Sequence, residues 1–332
     1  MKNLGPAEES RRDDAIRRGS YAVVMPKWIG DFVLALSVVS RKAASGKTPG
    51  LLVVPESLAA LCRELSRYAI VPFSRKGSGG SRDALRALRR GRFGTLYVLP
   101  HSFSSALLAM RSGVRRRRGV RREWRDVLLN EPLPRRTRTS KRHITEEYAA
   151  VLETKAGTPE DWPGIPVAAE EAYRGVVVLC PGATYGPAKK WGGYERLVDL
   201  LPNSRIVLLG SAGERDDGEA IRRRAPDRVV DLVGRTTLTE ALKVIAAANL
   251  VVANDSGLMH LAGYVGTPVV GIFGSTRPSW TRPLGKRVRV ARTEIECSPC
   301  FDRTCRFGHY ECLRRIDPES VAGQARELIE RG

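Results

Sequence analysis

The sequence predicts an α/β protein built from two Rossmann-like, doubly wound parallel sheets. Short apolar runs alternate with amphipathic stretches along the chain, which is typical of strand and helix units around a parallel sheet. The length of 332 residues is sufficient for two domains, each with its own core. A segment with three prolines and three glycines, 156–175, separates two series of such runs. In this fold class a ligand binds beyond the carboxyl ends of the strands, so we expect a ligand in a cleft between the two sheets.

The first half of the chain contains four predicted strands, with helical stretches such as 31–45 and 82–91 between them. These strands are YAVVM (21–25), LLVV (51–54), AIVPF (69–73) and TLYVL (95–99). The second half contains five, namely VVVLC (176–180), RIVLLG (205–210), RVVDL (228–232), LVVA (250–253) and PVVGIF (268–273).

The domain limits follow from this order. A last helix is predicted at 317–330, because it starts after Asp317 and repeats apolar residues at helical spacing. We predict a disordered lead-in at 1–19, which is polar and mixed in charge, then a domain at 20–160 and a second domain at 161–332.

The charge is strongly basic, since 56 Lys and Arg stand against 36 Asp and Glu for a net charge of +20. Residues 111–142 contain 13 of the cations and only three acids, so about half of the excess lies there. This concentration predicts a patch for an acidic partner such as nucleic acid, anionic lipid or a phosphorylated substrate, and a solvated arginine-rich face is the less favoured alternative.

Two further patterns bear on location and metals. No apolar run approaches the roughly 20 residues that cross a bilayer, and no signal peptide is recognisable, so we expect a soluble cytoplasmic protein. Four of the six cysteines lie within 297–312. In a reducing compartment this clustering favours metal ligation or free thiols over disulfides, whereas Cys62 and Cys180 are predicted to be buried core residues.

The stretch NDSGLMH, 254–260, directly follows a predicted strand and precedes a helical stretch. Asn, Asp and Ser are favourable N-cap residues, and the unpaired amides of a first helical turn form an anion site. Ser256 and Gly257 would present those amides. An ordinary cap is an equal alternative, but Asp255 and His260 across the same turn favour a ligand site.

The stretch PGATYGPAKKW, 181–191, also follows a predicted strand. Its glycines permit close backbone approach, Thr184 offers a hydroxyl, and Lys189 or Lys190 can supply positive charge to a phosphate. Solvated lysines and a packing tryptophan are the alternative. The position of the loop at a strand end favours phosphate binding.

The stretch PKWIGDFVLALSVV, 26–39, follows the first strand and continues into a nearly all-apolar helix that we expect to be buried. Asp31 stands at the start of that helix, where capping alone could account for it. Because this loop belongs to the other domain and would face the first two loops across the cleft, a general base acting on a second substrate is the competing explanation.

These three stretches together resemble the heptosyltransferases of glycosyltransferase family 9, from about residue 20 to the C-terminus. The shared motifs are PKWIGD, GATYGPAKKW and NDSGLMHLAGYVGTPVVGIFGSTRPSWTRPLG, in the same order and at the expected separations. The resemblance implies a GT-B fold. It also implies metal-independent, inverting transfer of heptose from an ADP-sugar, ADP-heptose, to the heptose and Kdo inner core of lipopolysaccharide.

The resemblance also implies residue roles. Asp31 matches the general base, and Lys189 would stabilise charge as ADP leaves. The positions that match donor binding are Thr184, Tyr185, Lys189, Glu214, Asp255, Ser256, Gly257 and His260.

The resemblance also implies that the basic patch binds the acceptor and the anionic surface of the inner membrane. The protein would then associate peripherally with that membrane. The residues of the patch are Arg115, Arg116, Arg117, Arg118, Arg121 and Arg122. For the cysteine cluster, reduced thiols are the main alternative to metal binding, and an iron–sulfur cluster is less favoured. A structural zinc site, with His309 as an alternative ligand, is the metal site that we retain as a candidate. Its four candidate ligands are Cys297, Cys300, Cys305 and Cys312. The inferred transfer requires no cofactor.

Three other functions are open at this point. A transferase that uses another nucleotide sugar would need the same diphosphate-binding loops. A nucleic-acid-binding protein would fit the net charge, but aromatic residues are only 6% of the chain and no recognition-module signature is present, so we expect no nucleic-acid partner. An inactive relative that serves in assembly is disfavoured by the presence of Asp31 and Lys189.

Overall fold

The computed structural model describes residues 21–74, 78–134 and 142–331, so the predicted lead-in at 1–19 lies outside the described residues. The chain divides into two compact units. The first holds Met1–Ser140 and Ile144–Gly157, and the second holds Lys141–His143 and Thr158–Gly332. The division after Gly157 falls inside the predicted linker, and Trp162 already packs into the second unit, where its indole N–H donates to the Tyr264 carbonyl at 2.6 Å.

The first unit contains a six-stranded parallel sheet in the order β3-β2-β1-β4-β5-β6. Its strands are β1 (Tyr21–Val24), β2 (Leu51–Pro55), β3 (Ile70–Phe73), β4 (Thr95–Val98), β5 (Arg116–Val120) and β6 (Glu131–Leu133). Its helices are α1 (Ile29–Ala44), α2 (Ala59–Leu65), α3 (Ser78–Arg90), α4 (Phe103–Ser112) and α5 (Ile144–Leu152), with a 3₁₀ segment at Glu123–Leu128.

The second unit repeats this topology with the strand order β12-β11-β10-β7-β8-β9, again parallel. Its strands are β7 (Val177–Cys180), β8 (Ile206–Leu208), β9 (Val229–Asp231), β10 (Leu250–Asn254), β11 (Val269–Ile272) and β12 (Val288–Ala291). Its helices are α6 (Tyr194–Leu200), α7 (Arg215–Arg224), α8 (Leu238–Ala247), α9 (Gly257–Val265), α10 (Pro278–Thr281), α11 (Glu311–Arg314) and α12 (Pro318–Glu330).

The predicted α/β class with two doubly wound sheets is confirmed, and so are all nine predicted strands. The central strands read as continuous apolar runs because helices cover both faces of a parallel sheet. Every residue of β1, β7 and β10 is buried, as that arrangement requires. Cys62 and Cys180 are buried core residues, as predicted.

The predicted helical stretch 82–91 corresponds to α3, and two further predicted helices are also observed. The first is α1, whose residues from Phe32 to Val39 are all buried. The second is α12, which begins after Asp317, whose carboxylate accepts the Ser320 amide at 3.0 Å and so caps the helix. Across the described ranges, no helix combines the length and the apolar composition that crossing a membrane demands.

Candidate active site

In both units the strand order reverses beside the first strand, and this switch point opens a crevice at the carboxyl ends of two neighbouring strands. In the second unit these strands are β7 and β10, which pair directly. The loop 181–190 follows β7 and the turn at Asp255 and Ser256 follows β10. The topology therefore brings together two of the loops that the sequence singles out.

Lys189 and Asp255 form an ion pair at this switch point. The Lys189 ammonium lies 2.5 Å from Oδ2 of Asp255 and also donates to the Asp255 backbone carbonyl at 3.2 Å. The Lys189 side chain is 13% exposed and the Asp255 side chain 4%. The adjacent Lys190 instead pairs with Asp217 at 2.6 Å. Of the two lysines that the sequence offers, Lys189 is the one in the crevice.

Two more side chains hold the Asp255 carboxylate. The Thr276 hydroxyl donates to Oδ2 at 2.6 Å, and His260 Nε2 lies 3.6 Å from Oδ1. Burial alone would raise the pKa of Asp255, but the charge of Lys189 and the contact with His260 outweigh it and hold the pKa well below its usual value. Asp255 is therefore an ionised carboxylate that fixes the position of Lys189.

The helix α9 starts directly beside this ion pair. Ser256 is the N-cap residue, but its hydroxyl makes no capping hydrogen bond. The first amides of a helix have no intrahelical partner and carry part of the positive end of the helix dipole. Ser256 and Gly257 thus stand where backbone amides and the Lys189 ammonium can act on one anion.

Tyr185 and Thr184 lie in the same loop but in different settings. The Tyr185 ring lies 4.8 Å from the Lys189 ammonium and 5.1 Å from the Arg303 guanidinium, and its hydroxyl donates to the Phe301 carbonyl at 2.6 Å. Thr184 is exposed at the tip of the loop. Tyr185 therefore supports the loop, whereas Thr184 remains accessible to a ligand.

Glu214 lies against the base of this loop. A Cβ at Gly182 would stand only 2.0 Å from the Glu214 carboxyl carbon, so the Glu214 carboxylate occupies the space beside Gly182 that a side chain there would fill. One carboxylate oxygen accepts the Ser211 amide at 2.6 Å and caps the following turn. The predicted contact between Glu214 and a ribose stays a prediction.

The corresponding switch point of the first unit lies between β1 and β4, and it contains Asp31. This residue stands in the first turn of α1, whose N-cap is Trp28. Asp31 interacts with the hydroxyl of Tyr148, a buried residue of α5. Burial first, and then the charges of Asp31 and Glu147, raise the pKa of Tyr148 well above its ordinary value, so that its hydroxyl donates to the Asp31 carboxylate.

His101 follows β4 at the same switch point. Its Nε2 lies 2.7 Å from a carboxylate oxygen of Glu147, whose side chain is only 2% exposed. Glu147 and Tyr148 are adjacent residues of α5, so this helix contacts both loops that border the crevice. Sequence reasoning missed His101, Glu147 and Tyr148. The only available signal for His101 was its place just after a predicted strand.

The predicted basic patch contains two kinds of arginine. Arg116, Arg117 and Arg118 belong to β5, and each donates to protein oxygen atoms. Arg116, for example, lies 2.5 Å from Glu131 and from Glu153. The side chains of the other three arginines extend from the ends of the strand and are exposed. These are Arg115, Arg121 and Arg122.

The cysteine segment does not form a metal-binding arrangement in the structure. Across residues 21–74, 78–134 and 142–331, no group of three or more His, Cys, Asp or Glu side chains is placed to hold a metal ion. The pKa of Cys312 is raised to about 11, first by burial and then by the neighbouring thiols of Cys300, Cys297 and Cys305. The pKa of Cys305 is lowered by hydrogen bonds from backbone amides, chiefly that of Tyr310. The structure therefore provides no support for the predicted zinc site.

The same segment has a different structural role. The Arg303 carbonyl accepts the Ala188 amide at 3.0 Å, and a Cβ at Gly186, where φ is +145°, would lie 2.5 Å from that carbonyl oxygen. The segment that contains the cysteines thus packs on the loop that contains Lys189. This support could not be read from the sequence because more than 100 residues separate the two segments.

The sequence and the structure both match known proteins. The family described as glycosyltransferase family 9 (heptosyltransferase) matches residues 82–311. Lipopolysaccharide heptosyltransferase 2 of Escherichia coli K12 is 29% identical over 92% of this chain and 97% of its own length. Lipooligosaccharide heptosyltransferase 2 of Haemophilus influenzae is 28% identical over 92% of this chain and 98% of its own length. The solved structure of E. coli ADP-heptose lipopolysaccharide heptosyltransferase II superimposes with a TM-score of 0.78 and 28% identity over 94% of this chain and 99% of that one.

Proposed function

The chain belongs to glycosyltransferase family 9, and on that premise we propose that it transfers heptose from ADP-heptose to the inner core of lipopolysaccharide. The two doubly wound sheets are those of GT-B enzymes. Relatives that match nearly the full chain are heptosyltransferases of lipopolysaccharide or lipooligosaccharide, which supports this substrate class. The observation that carries the proposal is the buried Lys189–Asp255 pair beside the start of α9.

The donor site is proposed at the switch point of the second unit. A sugar diphosphate carries negative charge close to the reacting carbon, and that charge increases as the nucleotide leaves. Lys189 and the amides of Ser256 and Gly257 supply positive charge at one position, and Asp255 keeps the lysine there. Thr184 adds a hydroxyl, and Glu214 is proposed to contact the ribose.

The acceptor site is proposed at the switch point of the first unit, with Asp31 as the general base. Tyr148 donates to Asp31 and so orients its carboxylate. In the transfer step the acceptor hydroxyl oxygen bonds to the anomeric carbon while the bond from that carbon to the phosphate oxygen breaks. The hydroxyl proton passes to Asp31, ADP leaves, and attack opposite the leaving group inverts the configuration.

Acceptor binding is further proposed to involve the exposed arginines of the basic patch, Arg115, Arg121 and Arg122. The inner core is rich in carboxylate and phosphate groups and lies at an anionic membrane surface, which attracts basic segments. We therefore propose a cytoplasmic enzyme that binds the inner membrane peripherally. Arg116, Arg117 and Arg118 take part less, because protein oxygen atoms already engage them.

A donor screen with a defined inner-core acceptor tests the function. The purified chain is incubated with ADP-heptose, UDP-sugars and GDP-sugars in parallel, and the product is identified by mass spectrometry. Heptosylated acceptor from ADP-heptose is the expected result. Turnover only with a donor that lacks ADP would contradict the assignment and would establish a related transferase with another sugar nucleotide.

A further inference from the structure

The first unit exposes large apolar side chains on two adjoining elements. Trp124 is 84% exposed and Val127 is 82% exposed in the 3₁₀ segment Glu123–Leu128. Phe103 is 54% exposed and Met110 is 41% exposed on α4. The two elements contact each other. Single exposed apolar residues are normal on a soluble protein, but four on two contacting elements indicate an interaction surface.

The geometry of both elements directs these side chains outward. A 3₁₀ helix has three residues per turn, so Trp124 and Val127 lie one above the other, while Leu128 is buried. On α4, Phe103 and Met110 are seven residues apart and therefore share one face of the helix, opposite the buried residues Leu108 and Ser112. We call the surface made by Phe103, Met110, Trp124 and Val127 the apolar face.

Positive charge borders this face. Arg121 and Arg122 are exposed and directly precede the 3₁₀ segment, and Arg111 is exposed in the last turn of α4. Tryptophan beside arginine is a combination suited to the interface of a lipid bilayer, where the ring enters the headgroup region and the guanidinium meets lipid phosphate.

We propose that the apolar face inserts into an anionic lipid bilayer and is the membrane anchor of this enzyme. The proposal extends the peripheral membrane association within the proposed function, and it names the side chains that enter the lipid. Charge complementarity favours a bilayer, because the arginines attract acidic headgroups while the apolar side chains leave water. In addition, α4 begins two residues after His101, at the strand end where the acceptor is proposed to bind. An acceptor fixed in the bilayer would therefore lie close to that strand end.

Binding to lipid vesicles tests the anchor without any donor or acceptor, so its result does not depend on the transferase assay. The full chain is sedimented with vesicles of phosphatidylcholine alone and with vesicles that contain 30% phosphatidylglycerol. We expect binding to the anionic vesicles, at least tenfold tighter than to the neutral ones. Failure of the wild-type chain to bind anionic vesicles overturns the proposal.

Substitutions locate the surface. The double variant Trp124→Ser with Val127→Ser should bind anionic vesicles at least tenfold more weakly, and folding is checked by thermal melting. The matched control is Phe307→Ser, because Phe307 is an aromatic residue of the second unit that is 63% exposed. A double variant that binds as tightly as wild type, or a control that weakens binding equally, overturns the proposal.

A charge variant provides a second measurement. The double variant Arg121→Glu with Arg122→Glu should bind anionic vesicles at least tenfold more weakly. Its control is the double variant Arg223→Glu with Arg326→Glu, at exposed helix positions of the second unit, which should lose much less vesicle binding.

Sedimentation velocity tests the other possible occupant of the apolar face, a second copy of this chain. If the Trp124 and Val127 double variant converts a dimer to a monomer and leaves vesicle binding unchanged, the apolar face is a protein interface and the membrane proposal is wrong.

Discussion

Lys189 donates a 2.5 Å hydrogen bond to the Asp255 carboxylate, at the point where the strand order of the second unit reverses. Asp255 thus holds the Lys189 ammonium in one position. A charged side chain that is already held in place loses little conformational entropy when it meets its ligand, which improves both affinity and catalysis.

Lys189→Ala should weaken ADP binding by about tenfold to a hundredfold, because it removes a charge-assisted contact worth about 1.5–3 kcal/mol. Titration calorimetry with ADP measures this. Lys190→Ala is the matched control, since Lys190 pairs with Asp217 outside the ion pair, and it should bind ADP nearly as wild type does. Equal affinity in wild type and the Lys189 variant would remove Lys189 from the donor site.

Asp255→Asn should lower the free energy of unfolding by about 3 kcal/mol at neutral pH, because it leaves Lys189 without its buried partner. The pKa of Asp255 is lower in the folded protein than in the unfolded chain, where it is about 3.9. The ionised carboxylate therefore contributes its full stabilisation above about pH 3.9, and this contribution is lost as the pH falls toward the pKa of the folded state. Urea unfolding from pH 7 to pH 3 should show the two proteins converging below about pH 4. A constant difference over that range would show that the charge of Asp255 is not the cause.

Asp31→Asn should reduce kcat by about 10²–10⁴-fold, as loss of a general base does, while the Kd for ADP stays near that of wild type. Steady-state kinetics and calorimetry on the same preparation separate the two effects. The exposed Asp83 provides the control Asp83→Asn, which should change neither quantity. Parallel losses of kcat and ADP affinity would make Asp31 a structural residue.

Tyr148→Phe should lower kcat by roughly tenfold, because Asp31 loses the hydroxyl that orients it and favours its ionised form. The acid limb of the pH profile of kcat should also move to higher pH. This second readout matters because a merely structural loss of packing would lower activity without moving the profile. An unshifted profile would mean that the hydroxyl does not act on the base.

Chelation should leave the transfer rate unchanged. Lys189 and the start of α9 already supply positive charge where the diphosphate is proposed to bind, so the rate in excess EDTA should equal the rate without it. Restoration of a lost rate by one particular divalent cation would show that the diphosphate charge is compensated by metal instead.

The parts of the fold that the sequence predicted are those where burial decides which residues can occur. Central strands such as β1 and β10 are buried throughout and therefore appear as unbroken apolar runs. The strands β5, β6 and β12 were missed because their sequences, RRRGV, EPL and VRVA, contain charged residues or a proline and so lack an unbroken apolar run. In β5 the arginines reach carboxylates and carbonyls from other segments, and nothing in the local pattern indicates such partners.

Some residues of the candidate site could be predicted from the sequence, and others could not. Lys189 and Asp255 stand in recognisable loops after predicted strands, so each could be selected from the sequence, but their pairing could not, since 66 residues separate them. Tyr148 could not be selected at all. In the sequence, Tyr148 matches the apolar pattern of an amphipathic helix, and only the packing of α5 brings its hydroxyl to Asp31.

Arg116 and Arg118 contact Glu131 and Glu153 within the first unit, so the strand with the densest run of arginine in this protein presents little of that charge to its surroundings. The formal value of +20 already subtracts Glu131 and Glu153, so these contacts leave the net charge unchanged, and the excess that a polyanion meets lies on exposed arginines such as Arg115, Arg121 and Arg122.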